Sequence, residues 1–149
     1  MKDTGQYDAY IKAAIIVTRD EHGVNVPLWL VKSQIAAESS FDPMAVSHCG
    51  AKGLMQLMDA TAKDMGHDPK RMFEPVENIM AGVKYLGWLT NRQQCRKNHR
   101  PYWPWVLAAY NCGPGNVGKY KANPEHWPDV QKYVSKIMKA KPEDGSEYA

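Results

Sequence analysis

Ala-Glu-Ser-Ser-Phe-Asp-Pro-Met-Ala-Val-Ser-His-Cys-Gly-Ala-Lys-Gly-Leu-Met-Gln-Leu, residues 37–57, joins an apolar helical pattern to a loop rich in small residues. Upstream, Leu28, Val31 and Ile35 recur at helical spacing and Pro27 suits a first helical turn, so a helix is expected over Leu28 to Glu38. Downstream, Pro43 disfavours helix at Asp42, and residues 40–57 read as loop with a short extended piece around Leu54 to Leu57. Glu38 thus falls on the last turn of a buried helix. A helix C-terminus disfavours negative charge, and desolvation adds to that effect, so both raise a carboxyl pKa. This suits a general acid working near neutral pH. The same spacing fits a surface Glu behind an apolar helix, and the rest of the chain has to separate the two.

The 149 residues are sized for one domain with a sizeable core. Composition is that of a globular protein, with 44% hydrophobic and 23% charged residues, five Trp and eight Tyr. Aromatics at this level often line carbohydrate sites, although most serve as core. The formal charge of +3, from 19 basic and 16 acidic residues, is too small to imply nucleic-acid binding but helps approach to an anionic surface. Arg92, Arg96, Lys97, His99 and Arg100 form one basic cluster, read as a solvated helix end and loop, with binding of an anionic polymer as the alternative. Cys49, Cys95 and Cys112 are an odd number without close doublets, so buried reduced thiols and no metal site are expected. No stretch is apolar enough to span a membrane, and residues 1–7 lack the apolar centre of a secretory signal. Synthesis in the cytoplasm and release by another route are the corresponding expectation, with a lost leader as the alternative.

Periodicity predicts a first helix over residues 4–18 with Tyr7, Ile11, Ala14, Ile15 and Thr18 on one face. A short helix from Asp59 to Met65 is closed by Gly66, and residues 67–74 are irregular. Pro75 opens the clearest helix, with Val76, Ile79, Met80, Val83, Leu86 and Leu89 on one stripe and Asn78, Ala81, Tyr85 and Trp88 on another face. Trp105 to Tyr110 forms a compact apolar helix stopped by Gly113-Pro114-Gly115, and a last helix over 128–140 buries Val130, Tyr133, Val134, Ile137 and Met138. Residues 141–149 read as a frayed tail. The fold class is therefore a single, mainly α domain.

Three separated blocks carry a resemblance. Glu-Ser-Ser-Phe-Asp-Pro-Met-Ala-Val-Ser followed by Gly-Ala-Lys-Gly-Leu-Met-Gln-Leu-Met, then Asn78 to Leu86, then Ala108-Ala-Tyr-Asn-Cys-Gly-Pro-Gly115, resemble the soluble lytic transglycosylases in the family's order. The match covers about residues 27–138. It implies a lysozyme-like architecture and cleavage of the MurNAc–GlcNAc bond of peptidoglycan glycan strands without a cofactor. It also implies Glu38 as the acid and Tyr110 as the tyrosine whose hydroxyl points at it. Ser47 matches the serine that helps hold Glu38 and substrate. Gln56 is placed to hydrogen-bond sugar substituents, Met55 to form cleft wall, and Asn111 follows Tyr110 in its motif. Tyr85 either lines the cleft or packs beside Trp88.

Two departures stand out. Cys112 sits where the family often has alanine. Asp129-Val-Gln-Lys-Tyr-Val134 stands where the family often shows Glu-Thr-x-x-Tyr-Val, so Asp129 carries over with a shorter reach.

Glycoside cleavage commonly uses two carboxylates. Asp42 and Asp59 are the nearest to Glu38 in sequence, but each suits a turn or cap. The resemblance implies another route, in which the substrate's N-acetyl group assists departure. Glu38 then takes the proton of the sugar's 6-hydroxyl and a 1,6-anhydro product forms. The competing readings are a hydrolytic muramidase on the same fold and a non-catalytic wall-binding or assembly module. A monomer is expected, reaching the wall through a holin, a virion or a secretion apparatus, as a phage endolysin does.

Overall fold

The computed structural model describes residues 3–144. Seven α-helices are present there: α1 (Asp8–His22), α2 (Leu28–Ser39), α3 (Asp59–Asp64), α4 (Pro75–Thr90), α5 (Trp103–Cys112), α6 (Val117–Ala122) and α7 (Pro128–Met138). Two two-residue strands, β1 (Arg96–Lys97) and β2 (Arg100–Pro101), form an antiparallel hairpin. No helix among the described residues is long and apolar enough to cross a membrane.

The mainly helical class is as read from the periodicity, and α4 is its central element. Pro75 takes an opening position, where its missing N–H costs no bond. Ile79, Val83, Leu86 and Leu89 are buried as expected, but Met80 is only partly buried and Val76 is 46% exposed. Two helical glycines let other chains approach closely. A side chain at Gly87 would collide with Thr18 and His22 of α1, and one at Gly82 would collide with Met55. Helix α5 packs against both α4 and α7, while α2 packs on α7. Ile11, Leu30, Ile35, Leu54, Leu107 and Ile137 fill the shared core.

Several boundaries differ from the expectation. The first helix runs over Asp8–His22 rather than 4–18, since Gly5 adopts a left-handed turn before it and Gly23, also left-handed, bonds back to Arg19 O. Pro27 lies just outside α2 in extended conformation rather than in its first turn. Helix α5 begins two residues early, with Pro104 tolerated in its first turn. The hairpin and α6 went unread. Residues 54–57 are a turn paired through Lys52, which bridges both Val46 and Leu57. Helix α7 ends at Met138, and most of the expected frayed tail (145–149) lies outside the described residues.

Candidate active site

Helix α2 ends where the sequence forces it to. Asp42-Pro43 cannot continue a helix, and Ser40 and Phe41 turn the chain with positive φ of 52° and 62°. Burial of Phe41 in the core anchors that strained turn. Glu38 is thereby left half-buried on the last turn. Loss of hydration pushes its pKa up to about 7, against the opposing effect of a hydrogen bond from Tyr133. Tyr133 Oη, from α7, donates to Glu38 Oε2 at 3.0 Å. One turn earlier on α2, the fully buried Gln34 donates from Nε2 to the same phenol oxygen at 3.1 Å. A phenol has one proton, so an oxygen that accepts from Gln34 directs that proton to Glu38. Glu38 Oε1 has no protein partner among the described residues.

The loop after α2 is held by its own side chains. Asp42 Oδ1 accepts from Met44 N at 2.9 Å, which is the turn role expected of it. Ser47 Oγ accepts from the backbone of Cys49 (3.2 Å) and Ala51 (3.0 Å), closing the next turn. Gln56, itself at φ 51°, donates from Nε2 to Ala45 O (3.1 Å) and Gly53 O (2.8 Å). Its Oε1 stays unpartnered among the described residues. Asp59 pairs with Lys52 at 2.9 Å.

Asn78 fastens this loop to α4. The side chain is completely buried, accepts from Met55 N at 2.8 Å, and donates to Lys52 O (2.8 Å) and Met72 O (2.9 Å). Gly53 has φ 76°, and any side chain there would run into Met72 O and the Asn78 amide. A buried Asn using both amide hydrogens and its oxygen is a high-stakes clamp.

The geometry revises three readings. Tyr110 Oη donates to Met55 O at 2.7 Å, so it locks the loop, and the phenol bonded to Glu38 is Tyr133. Both phenols are held well above the ordinary tyrosine range, by burial first and the Glu38 charge second. The side chain of Met55 is fully buried rather than cleft wall, and its backbone serves the site by taking bonds from Tyr110 and Asn78. Ser47 spends its oxygen on local backbone.

The remaining candidates spread outward. The Tyr85 ring lies 5.2 Å from Tyr110 and stacks on Trp88 at 6.0 Å. Tyr85 thus packs beside Trp88, as one of its alternative readings had it, and both rings line a pocket with Thr61, Asp64, Met65 and Pro114. Asn111 is exposed on the last turn of α5. Asp129 is exposed in the first turn of α7, one turn before Tyr133.

Tyr133 and Gln34 were missed as site residues. Tyr133 was read as core from its helical stripe, and a Gln inside an apolar helix was the available signal for a buried polar network. The cysteines are free, with Cys95 buried and Cys112 half-buried, but Cys49 is exposed rather than buried. Burial pushes the Cys95 thiol up to about 11.

Residues 16–131 match the family model described as the transglycosylase SLT domain. The membrane-bound lytic murein transglycosylase F of Desulfosudis oleivorans is 43% identical over 99 residues, covering 66% of this chain and 21% of that protein. The protein of the same name from Pseudoalteromonas translucida is 37% identical over 110 residues, 68% of this chain and 23% of its own length. The chain thus spans less than a quarter of these curated relatives. Among solved structures, the 70 kDa soluble lytic transglycosylase of Escherichia coli has a TM-score of 0.75 at 24% identity, over 91% of this chain and 23% of that one. A complex of the 70-kDa soluble lytic transglycosylase with bulgecin A gives 0.74 at 23% identity, over 92% and 24%. With the family model matched across most of its length and the lysozyme-like fold shared with these structures, this chain belongs to the transglycosylase SLT domain family.

Proposed function

We propose that this chain is a peptidoglycan lytic transglycosylase that cleaves the MurNAc–GlcNAc β-1,4 bond, with Glu38 as acid and then as base. The observation that carries the reading is a single half-buried carboxyl with a pKa of about 7, one oxygen tied to Tyr133 and the other open. Near pH 7 such a group is present in both protonation states, which is what an acid that later serves as base requires. Tyr133 on Oε2 leaves the transferable proton on Oε1. The names of the relatives, lytic murein transglycosylases, support the substrate class.

In this mechanism the proton of Glu38 Oε1 passes to the glycosidic oxygen as that bond breaks. The substrate's N-acetyl oxygen bonds to the anomeric carbon in its place. The Glu38 carboxylate then removes the proton of the 6-hydroxyl, whose oxygen displaces the N-acetyl oxygen and closes the 1,6-anhydro ring. No water is consumed, and Glu38 ends protonated. Asp42 and Asp59, occupied by a turn and by Lys52, support a route without a second carboxylate.

Around this chemistry, the free Oε1 of Gln56 and the hydroxyl proton of Ser47 contact the sugar substituents. Tyr110 positions the loop through Met55. Tyr85 offers a ring face, and Asn111 and Asp129 lie at the rim as weaker contacts. The test is Glu38→Gln against purified peptidoglycan. An amide that can neither donate nor accept this proton lowers turbidity clearance by ~10²–10⁴-fold while the protein stays folded. Clearance near the parent rate would remove Glu38 from the mechanism.

A further inference from the structure

Charge is distributed unevenly along this chain. Residues 91–122 hold six Lys and Arg and no Asp or Glu, while the rest of the sequence has more acidic than basic residues. In this basic lobe the 3-10 turn at Gln93–Cys95, α5 and α6 pack against one another, and the β1–β2 hairpin joins that turn to α5. Among the described residues, no ion pair involves this lobe, although Arg19, Lys32, Lys52, Arg71 and Lys84 elsewhere all pair with carboxylates.

Backbone carbonyls of Thr90 and His99 hold Arg96, that of Gln94 accepts from Lys121, and aromatic rings lie beside three of the six cations. Arg92 lies 4.2 Å above Trp88, Lys97 lies 4.9 Å from Tyr102, and Lys121 lies 3.9 Å from Trp105. Tyr102 and Trp105 meet edge-on at 4.7 Å, so Lys97 and Lys121 flank one aromatic pair. Beside Lys97, the hairpin tip of Asn98 and His99 presents Arg100, and Lys97, Arg100 and Lys119 are all exposed.

We propose that this lobe docks on the surface of a bilayer rich in anionic phospholipid, at headgroup depth. The combination of half-buried Trp and Tyr with unpaired cations is the chemistry of the membrane–water interface. The large exposed apolar side chains, Tyr10, Ile16, Met44, Val46, Met58 and Val76, all lie outside the lobe, so it adsorbs by charge and does not insert. Single-stranded nucleic acid is the poorer fit, because base stacking needs open ring faces and these rings each carry a cation on one face. The proposal does not depend on the reading of Glu38. It places a wall enzyme against the membrane beneath its substrate.

The test is sedimentation of the full chain with vesicles of phosphatidylglycerol and phosphatidylcholine, against vesicles of phosphatidylcholine alone, at low and high salt. Binding is expected only to the anionic vesicles and is released by salt. The double variant Lys97→Gln/Arg100→Gln loses roughly tenfold or more of the partition coefficient. The control Lys12→Gln/Lys70→Gln, outside the lobe, binds as the parent does. Cleavage of soluble glycan fragments is unchanged in both, which separates this result from a failure of the active-site reading. Equal binding to both vesicles, no binding at low salt, parent-like binding by the double variant, or capture by a polyphosphate chain but not by vesicles would each overturn the proposal.

Discussion

Tyr133 Oη and Glu38 Oε2 lie 3.0 Å apart across 95 residues of sequence, and this bond opposes the burial that raises the Glu38 pKa. Removing the phenol hydroxyl therefore raises that pKa further above 7. Tyr133→Phe is expected to move the alkaline limb of the pH–rate profile upward and to lower the maximal rate roughly tenfold. The profile of peptidoglycan clearance between acid and mildly alkaline pH measures both. An unmoved limb would mean that Tyr133 does not touch the working acid.

Gln34 acts through Tyr133. Gln34→Met keeps volume but removes the donor that fixes the phenol proton on Glu38. The alkaline limb should shift in the same direction as for Tyr133→Phe, by less. In a double-mutant cycle the pair should cost no more than Tyr133→Phe alone, since one contact is removed twice. Independent, additive losses would break the relay.

The same carboxyl has a stability signature. Its folded pKa of about 7 exceeds the ordinary value of 4.5, so the folded state binds the proton more tightly than the unfolded state. The contribution is fully present below pH 4.5 and is lost as pH rises through 7, on the order of 3 kcal/mol in all. Glu38→Gln, which removes the buried charge, should melt several degrees above the parent at pH 8 and near it at pH 4.5. Calorimetry at the two pH values measures the difference.

Loop clamping should be costly to disturb. Asn78→Ala strands Met55 N and Met72 O and leaves Lys52 O with Leu57 N alone, an expected loss of about 2–4 kcal/mol in urea denaturation. Gly53→Ala should be comparably harmful, from the collision with Met72 O and a positive φ.

Much of this fold was legible because its helices carry strong apolar stripes. Ile79, Val83, Leu86 and Leu89 alone place α4. The hairpin was illegible because its strands are two residues long and its turn is Asn98-His99, with φ 53° and 64°, instead of the familiar Asn-Gly. Helix α6 is six residues long and contains Gly118, too short for a period to show. Among the candidate site residues, Glu38 stood out through the motif blocks around it, since its place at a helix end alone fits a surface Glu equally well. Tyr110 was given the bond that Tyr133 makes, since spacing cannot say which of two buried phenols on different helices reaches a given carboxyl. Met55 was read by its side chain when its peptide group makes the contacts. Asn78 stood in plain view inside an apolar helix, but its three partners come from residues 6 to 26 positions away in sequence.

The mass of the released muropeptides tests most directly whether the second nucleophile is the sugar's own 6-hydroxyl. Digestion of purified peptidoglycan in water enriched in heavy oxygen should give products ending in 1,6-anhydro-N-acetylmuramic acid. These products are one water lighter than their reducing counterparts, inert to borohydride and free of label. Products that take up heavy oxygen and gain two hydrogens on reduction would contradict the account and make this chain a hydrolytic muramidase.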